Sequence, residues 1–187
     1  MYTTSDFRKG LKIMVEGQPH VITDFQHVKP GKGNQFSRTK MRNLLTGSNL
    51  ERTFKSGEKF EVPDVMNKDM SFLYQDESGY NFMDQSSFEQ ILITNEDIGE
   101  EKLYLTENME VSIMLYNDKP IGVTVPNTVV LSVAETEPAV KGDRVTGATK
   151  SATMQTGLKV QVPLHINEGD NLKIDTRTGD YIERVNT

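Results

Sequence analysis

The residues with the clearest chemical potential lie in one stretch, His27-Val28-Lys29-Pro30-Gly31-Lys32-Gly33-Asn34-Gln35-Phe36. Two glycines flank a single lysine, and a proline precedes them. Pro30 fixes its own φ and biases Lys29 toward extended backbone. Gly31 and Gly33 tolerate positive φ at little steric cost. The pattern describes a narrow tip with few side chains around Lys32, whose four-carbon stem projects an amine into a confined space. A generic hairpin more often carries Asn-Gly or Asp-Gly. Two meanings stay open on these residues alone: a solvated surface lysine, or a lysine displayed to a partner. A nucleotide-binding P-loop is excluded, because that motif runs Gly-Lys-Ser/Thr into a helix, and here an alternating strand follows.

In that strand Arg38, Lys40 and Arg42 occupy every second position and so share one face. Same-face neighbours lie about 6–7 Å apart, close to the step between phosphates of an extended backbone. The row is either an ordinary charged face or a grip on RNA behind the lysine tip, with Lys29 completing it. A second polar loop, Gly142-Asp143-Arg144-Val145-Thr146-Gly147-Ala148-Thr149-Lys150-Ser151, superficially resembles a phosphate-binding loop. Its lysine is displaced and a strand follows, so the nucleotide reading fails. Gly142, Asp143, Arg144 and Gly147 remain RNA-contact candidates, with a plain connection as the equal alternative.

Other chemistry is thin. Cysteine is absent, which removes disulfides, thiolate nucleophiles and Cys-based metal sites. The three histidines, His20, His27 and His165, stand at no ligand or triad spacing. The carboxylates Glu96, Asp97, Glu100 and Glu101 describe a solvated face rather than an acid–base pair. No catalytic residue, cofactor or metal is therefore expected.

Charge is unevenly divided along the 187 residues. The net charge of −6 is made of +4 over residues 1–64, −9 over 65–127 and −1 over 128–187. A basic head on an acidic body orients a polyanion toward one end. With 35% hydrophobic and 26% charged residues the chain is neither disordered nor membrane-embedded. The N-terminal residues lack the apolar core of a secretion signal, and a cytoplasmic protein is expected.

The elements that must position these residues are short strands broken by turn signals every eight to twelve residues, the signature of small barrels. Strands are expected at 11–15, 20–28, 35–45 and 50–55, forming a compact SH3-like barrel that ends at Pro63-Asp64. The middle third offers strands at 69–75, 80–84, 110–116 and 121–125. A helix is expected over 96–105, capped by Thr94 or Asn95, with Ile98 inward. That order suits a five-stranded OB barrel. The last third offers strands at 129–135, 152–154, 159–163, 171–175 and 181–185. Thr39, Met41, Leu158, Val160 and Val162 are expected to face inward.

At Lys150-Ser151-Ala152, Gly157, Val160-Gln161-Val162-Pro163, Ile166 and Gly169 the chain resembles the C-terminal signature of bacterial elongation factor P across 20 residues. Asp6-Phe7-Arg8-Lys9-Gly10-Leu11, the loop 28–33, Arg52-Thr53-Phe54-Lys55-Ser56-Gly57 and Asp175-Thr176-Arg177-Thr178-Gly179 are similar as well. The resemblance implies a mainly β protein: an N-terminal SH3-like (KOW-type) domain over 1–64, then OB domains over 65–127 and 128–187, in an L shape like tRNA. It further implies a non-enzymatic translation factor that works as a monomer, bound to both ribosomal subunits between the P and E sites beside peptidyl-tRNA. There it would stimulate peptide-bond formation at consecutive prolines. Lys32 matches the family's modified tip position, which implies a lysine-modifying enzyme as a further partner. Whether the group is β-lysyl, aminopentanol or none is left open. The class weighed against this is a stand-alone RNA-binding OB protein, but such proteins interleave exposed aromatics with a basic groove. Tryptophan is absent here and aromatics are 7%.

Overall fold

The computed structural model describes residues 1–139 and 147–186. They form two compact units, one of Met1–Met66 with Tyr116–Ile121, the other of the described residues in Asn67–Leu115 and Gly122–Thr187.

In the first unit, β1 (Tyr2–Thr3), β2 (Lys12–Val15), β3 (Gln18–Val28), β4 (Phe36–Asn43), β5 (Asn49–Lys55) and β6 (Lys59–Phe60) follow one another. β2, β3, β4 and β5 form an antiparallel sheet in chain order, and β1 pairs with β6. The β2–β3 turn places both Glu16 and Gly17 at positive φ, the geometry a two-residue hairpin needs. Strict alternation along β4 buries Ser37, Thr39, Met41 and Asn43 and exposes Arg38, Lys40 and Arg42. Thr39 and Met41 are thus inward, as expected. Phe7, Phe54 and Phe60 close the core, Phe54 and Phe60 meeting edge-on at 4.8 Å between ring centres. Such rings supply most of the apolar area that holds so small a barrel together.

From Val65 onward the described chain carries two five-stranded sheets. Its earlier sheet comprises β7 (Val65–Asp76), β8 (Gly79–Asp84), β9 (Gln90–Thr94), β10 (Glu110–Tyr116) and β11 (Lys119–Thr124), in the order β11-β10-β7-β8-β9. Its later sheet comprises β12 (Thr128–Thr136), β13 (Thr149–Met154), β14 (Lys159–Pro163), β15 (Asn171–Asp175) and β16 (Asp180–Val185), in the order β14-β13-β12-β15-β16. Counted from its own first strand, each sheet has the same strand order, with the first strand central between the second and the fourth. β14 curls round to lie beside β16. Phe72, Phe82 and Ile113 fill one barrel; Leu131, Val162, Ile166 and Leu172 fill the other, with Leu158 and Val160 inward as expected.

Two sequence expectations need correction. The helix over 96–105 shortens to a single 3-10 turn, Glu100–Tyr104. Thr94 does cap the start, its Oγ1 accepting from the Asp97 amide at 3.2 Å, and Ile98 is buried. Gly99, however, takes extended backbone in the middle of the segment. Glu96/Glu100 and Asp97/Glu101 would also stack like charges at helical i, i+4 spacing, which opposes an α-helix. β9 was not anticipated as a strand: Ile91-Leu92-Ile93 is a short apolar run with no alternation to announce it.

Candidate RNA-facing arm

β3 and β4 form one long hairpin, paired from His20↔Asn43 out to Val28↔Phe36. β5 backs β4 as far as Phe36↔Lys55, and the Ser56 amide donates to the Gln35 carbonyl at 3.0 Å. The loop 29–35 therefore springs from a base of three hydrogen-bonded strands. Every residue in that loop is exposed. Lys32 makes no hydrogen bond or ion pair among the described residues, so its amine is free to meet a partner. Gly33 has φ of 107°, a conformation that L side chains avoid, whereas Gly31 does not enter the positive-φ region. A β-carbon on either would touch nothing within 4 Å. Pro30 and Lys29 lie exposed on the ascending side.

The loop base is pinned by His27, whose Nδ1 lies 2.6 Å from Ser37 Oγ on β4. The His27 ring also meets Phe25 edge-on at 5.2 Å. A groove of about 440 Å³ runs beneath, between His27, Lys29 and Gln35 on one side and Ser5, Ser56 and Gly57 on the other. It is open to solvent, Val28 and Phe36 also line it, and the Ser37 hydroxyl that meets His27 is buried behind the strand rather than presented to the groove.

The basic row is real but less bare than the sequence suggests. A bulge in β3 between Ile22 and Asp24 shifts the register so that Asp24 stands opposite Lys40. Glu51 on β5 stands opposite Lys40 from the other side and approaches Arg38 at 4.0 Å. Asp24 is itself held by Lys9 at 3.9 Å. These pairs are exposed and individually weak, so a polyanion can displace the carboxylates. Gly147 is described, with φ of 84° ahead of β13. Gly142, Asp143 and Arg144 lie outside the described residues.

The later sheet brings Lys150 inward at the start of β13, where it is 8% exposed. Sequence reading placed Lys150 in the polar 142–151 loop and in the C-terminal signature, and its inward register follows from alternation with Ala152 and Met154. Of the arm's acidic partners, Asp24 was missed because its register depends on the β3 bulge, and Glu51 because it comes opposite Lys40 only through the β4–β5 pairing. Also unforeseen was the β8–β9 turn, organised by Asp84. Its carboxyl is held down to about 2, first by the Ser86 amide, then by the Ser86 hydroxyl and the Ser87 amide, with Lys68 a lesser contributor. Among the described residues no cluster of three or more His, Asp or Glu side chains converges as a metal site. No helix there is long and apolar enough to cross a membrane.

A mainly β chain with a small N-terminal barrel and two OB-type barrels after it defines a class of multi-barrel proteins. Family models agree in each part: the elongation factor P KOW-like domain matches residues 3–60, the elongation factor P OB domain matches 65–123, and the elongation factor P C-terminal domain matches 129–184. Elongation factor P of Bdellovibrio bacteriovorus is 71% identical over 185 residues, covering 99% of this chain and 98% of that one. Its counterpart from Syntrophus aciditrophicus is 48% identical, over 99% of each. This chain belongs to the elongation factor P family. Among solved structures, eukaryotic translation initiation factor 5A from Methanococcus jannaschii shares the fold with a TM-score of 0.54 at 22% identity, over 64% of this chain and 88% of that one.

Proposed function

We propose that the protein binds the ribosome between the P and E sites, touching both subunits, and stimulates peptide-bond formation where consecutive prolines stall it. Lys32, with or without an added group, reaches the CCA end of peptidyl-tRNA. Arg38, Lys40, Arg42 and Lys29 hold phosphates behind it, and Gly142, Asp143, Arg144 and Gly147 make further contacts to RNA. Residues 1–64, 65–127 and 128–187 act as three modules of a cytoplasmic monomer.

The observation that carries this reading is the exposed, partner-free Lys32 on a loop rooted in three strands, in a member of a translation-factor family. Proline is a poor, restricted participant in peptide-bond formation. An arm that holds the CCA end in productive geometry lowers the entropic part of the barrier without any acid, base or nucleophile of its own. The ribosome supplies the chemistry and the factor supplies orientation, so the protein is not an enzyme. Where a lysine-modifying enzyme acts on Lys32, the added group lengthens the arm while keeping a polar terminus.

The test is reconstituted translation of a template with three consecutive prolines, alongside mass spectrometry of the Lys32 peptide from native protein. Wild type relieves the stall and Lys32→Ala does so at least tenfold less. Equal relief by both discards the tip-lysine mechanism.

A further inference from the structure

Phe88 sits where two separate preferences oppose it. Its φ is 62°, in the left-handed region that favours glycine and asparagine and makes a bulky residue an outlier. Its ring is 69% exposed, so the barrel gains almost nothing from it in burial. Such strain on a residue so little buried points to a use outside the fold.

The turn that holds Phe88 is built in advance. The Phe88 amide donates to the Asp84 carbonyl at 2.9 Å, and the Asp84 amide to the Glu89 carbonyl at 2.8 Å. The Asp84 carboxylate accepts from the Ser86 amide at 2.9 Å, the Ser86 hydroxyl at 2.8 Å and the Ser87 amide at 3.3 Å. A ring on so fixed a turn loses little freedom when it binds. Its surroundings are acidic: Glu89 follows it, Glu110 is tied to Gln85 of the same turn at 3.0 Å, and the neighbouring Lys68 is engaged by Asp84 at 3.7 Å. A phosphate backbone is repelled here. A guanidinium is attracted twice, by the face of the ring and by the carboxylates.

We propose that Phe88 anchors a contact with a basic protein surface, an arginine side chain lying on its ring with Glu89 and Glu110 pairing at the rim. This rests on the ribosomal reading above, in which that surface belongs to a ribosomal protein. The contact belongs to the acidic barrel of residues 65–127 and uses none of the lysine-tipped arm's residues.

The test uses the full chain and 70S ribosomes carrying peptidyl-tRNA. Phe88→Gly and Phe88→Asn both suit the left-handed backbone, so each keeps or raises the melting temperature. Each weakens ribosome binding about tenfold, the size of one partly desolvated cation–π contact, and Phe88→Tyr restores it. With p-benzoylphenylalanine at position 88, irradiation joins the factor to a ribosomal protein through a peptide rich in arginine or lysine. Crosslinking to ribosomal RNA alone overturns the proposal in favour of base stacking. Glycine and asparagine variants that bind as well as wild type overturn it while leaving the ribosomal reading intact. Wild type that fails to bind ribosomes overturns both.

Discussion

The phenolic oxygen of Tyr104 lies 3.2 Å from the point where a β-carbon on Gly179 would stand. Tyr104 belongs to the 3-10 turn of the earlier barrel and Gly179 to the β15–β16 turn of the later one. Around them the two barrels share a packed seam. Leu103, Tyr104 and Met109 lie on the core of the later barrel, and Met109 touches both cores. The Thr156 hydroxyl donates to the Leu103 carbonyl, the Thr176 hydroxyl to the Pro126 carbonyl, and the Thr176 amide to the Asn127 carbonyl at 2.9 Å. Burial at the seam raises the pKa of Tyr104, and Glu100 and Asp175 add to it.

Gly179→Ala therefore meets two obstacles. Its φ of 79° opposes any β-carbon, and Tyr104 must give way by a few tenths of an ångström. The expected cost is about 1–2 kcal/mol, measured by thermal or denaturant unfolding. Adding Tyr104→Phe removes the crowding oxygen and recovers only the steric part. A double variant no better than Gly179→Ala alone would mean that the seam does not transmit this contact.

Asp84 predicts a pH dependence with a definite sign. Its folded pKa of about 2 lies below the ordinary 3.8, so its stabilising effect is fully present above about pH 4 and is lost as pH falls toward 2. The melting temperature of wild type should decline across that window. Asp84→Asn cannot titrate, so its curve should start lower at neutral pH and fall less steeply. Parallel curves would show that the Ser86–Ser87 turn does not depend on the charge.

The basic row predicts a salt signature. Arg38→Glu, Lys40→Glu and Arg42→Glu together should weaken ribosome or tRNA binding and flatten log affinity against log salt by roughly 2, at about 0.7 per phosphate lost. Glu51→Gln should act the opposite way, because Glu51 lies against Arg38 and Lys40. Affinity unchanged by the triple reversal at every salt concentration would remove the row from RNA binding.

Much of this was legible in the chain because period-2 patterning is a local property. The alternation of Arg38, Thr39, Lys40 and Met41 foretold which side chains face out. The strands 110–116, 159–163 and 171–175 were foretold residue for residue. Pro30, Gly31 and Gly33 marked the loop because their backbone preferences need no tertiary context. What escaped depends on cross-strand register or on residues distant in sequence. Asp24 faces Lys40 only through the β3 bulge, and Tyr104 meets Gly179 across 75 positions. The helix failed because favourable capping at Thr94 was outweighed by Gly99 and by crowded carboxylates, a balance that capping rules do not weigh.

The two tip glycines separate folding from function. Gly33 needs its missing β-carbon for its own backbone, since its φ is 107°. Gly33→Ala should cost about 1 kcal/mol or shift the loop. Gly31 needs it for neither backbone nor packing, because its φ lies outside the positive region and a β-carbon there meets open space. Gly31→Ala should leave the melting temperature unchanged. If the tip enters a confined site beside peptidyl-tRNA, Gly31→Ala should still lower stall relief several-fold, because the added methyl must be accommodated by the partner. Larger side chains at 31 should lower it further, in order of volume, again at constant stability. A Gly31→Val protein with normal stability and undiminished stall relief would show that the space around Lys32 is not restricted, and that the glycine there serves neither the fold nor the reaction.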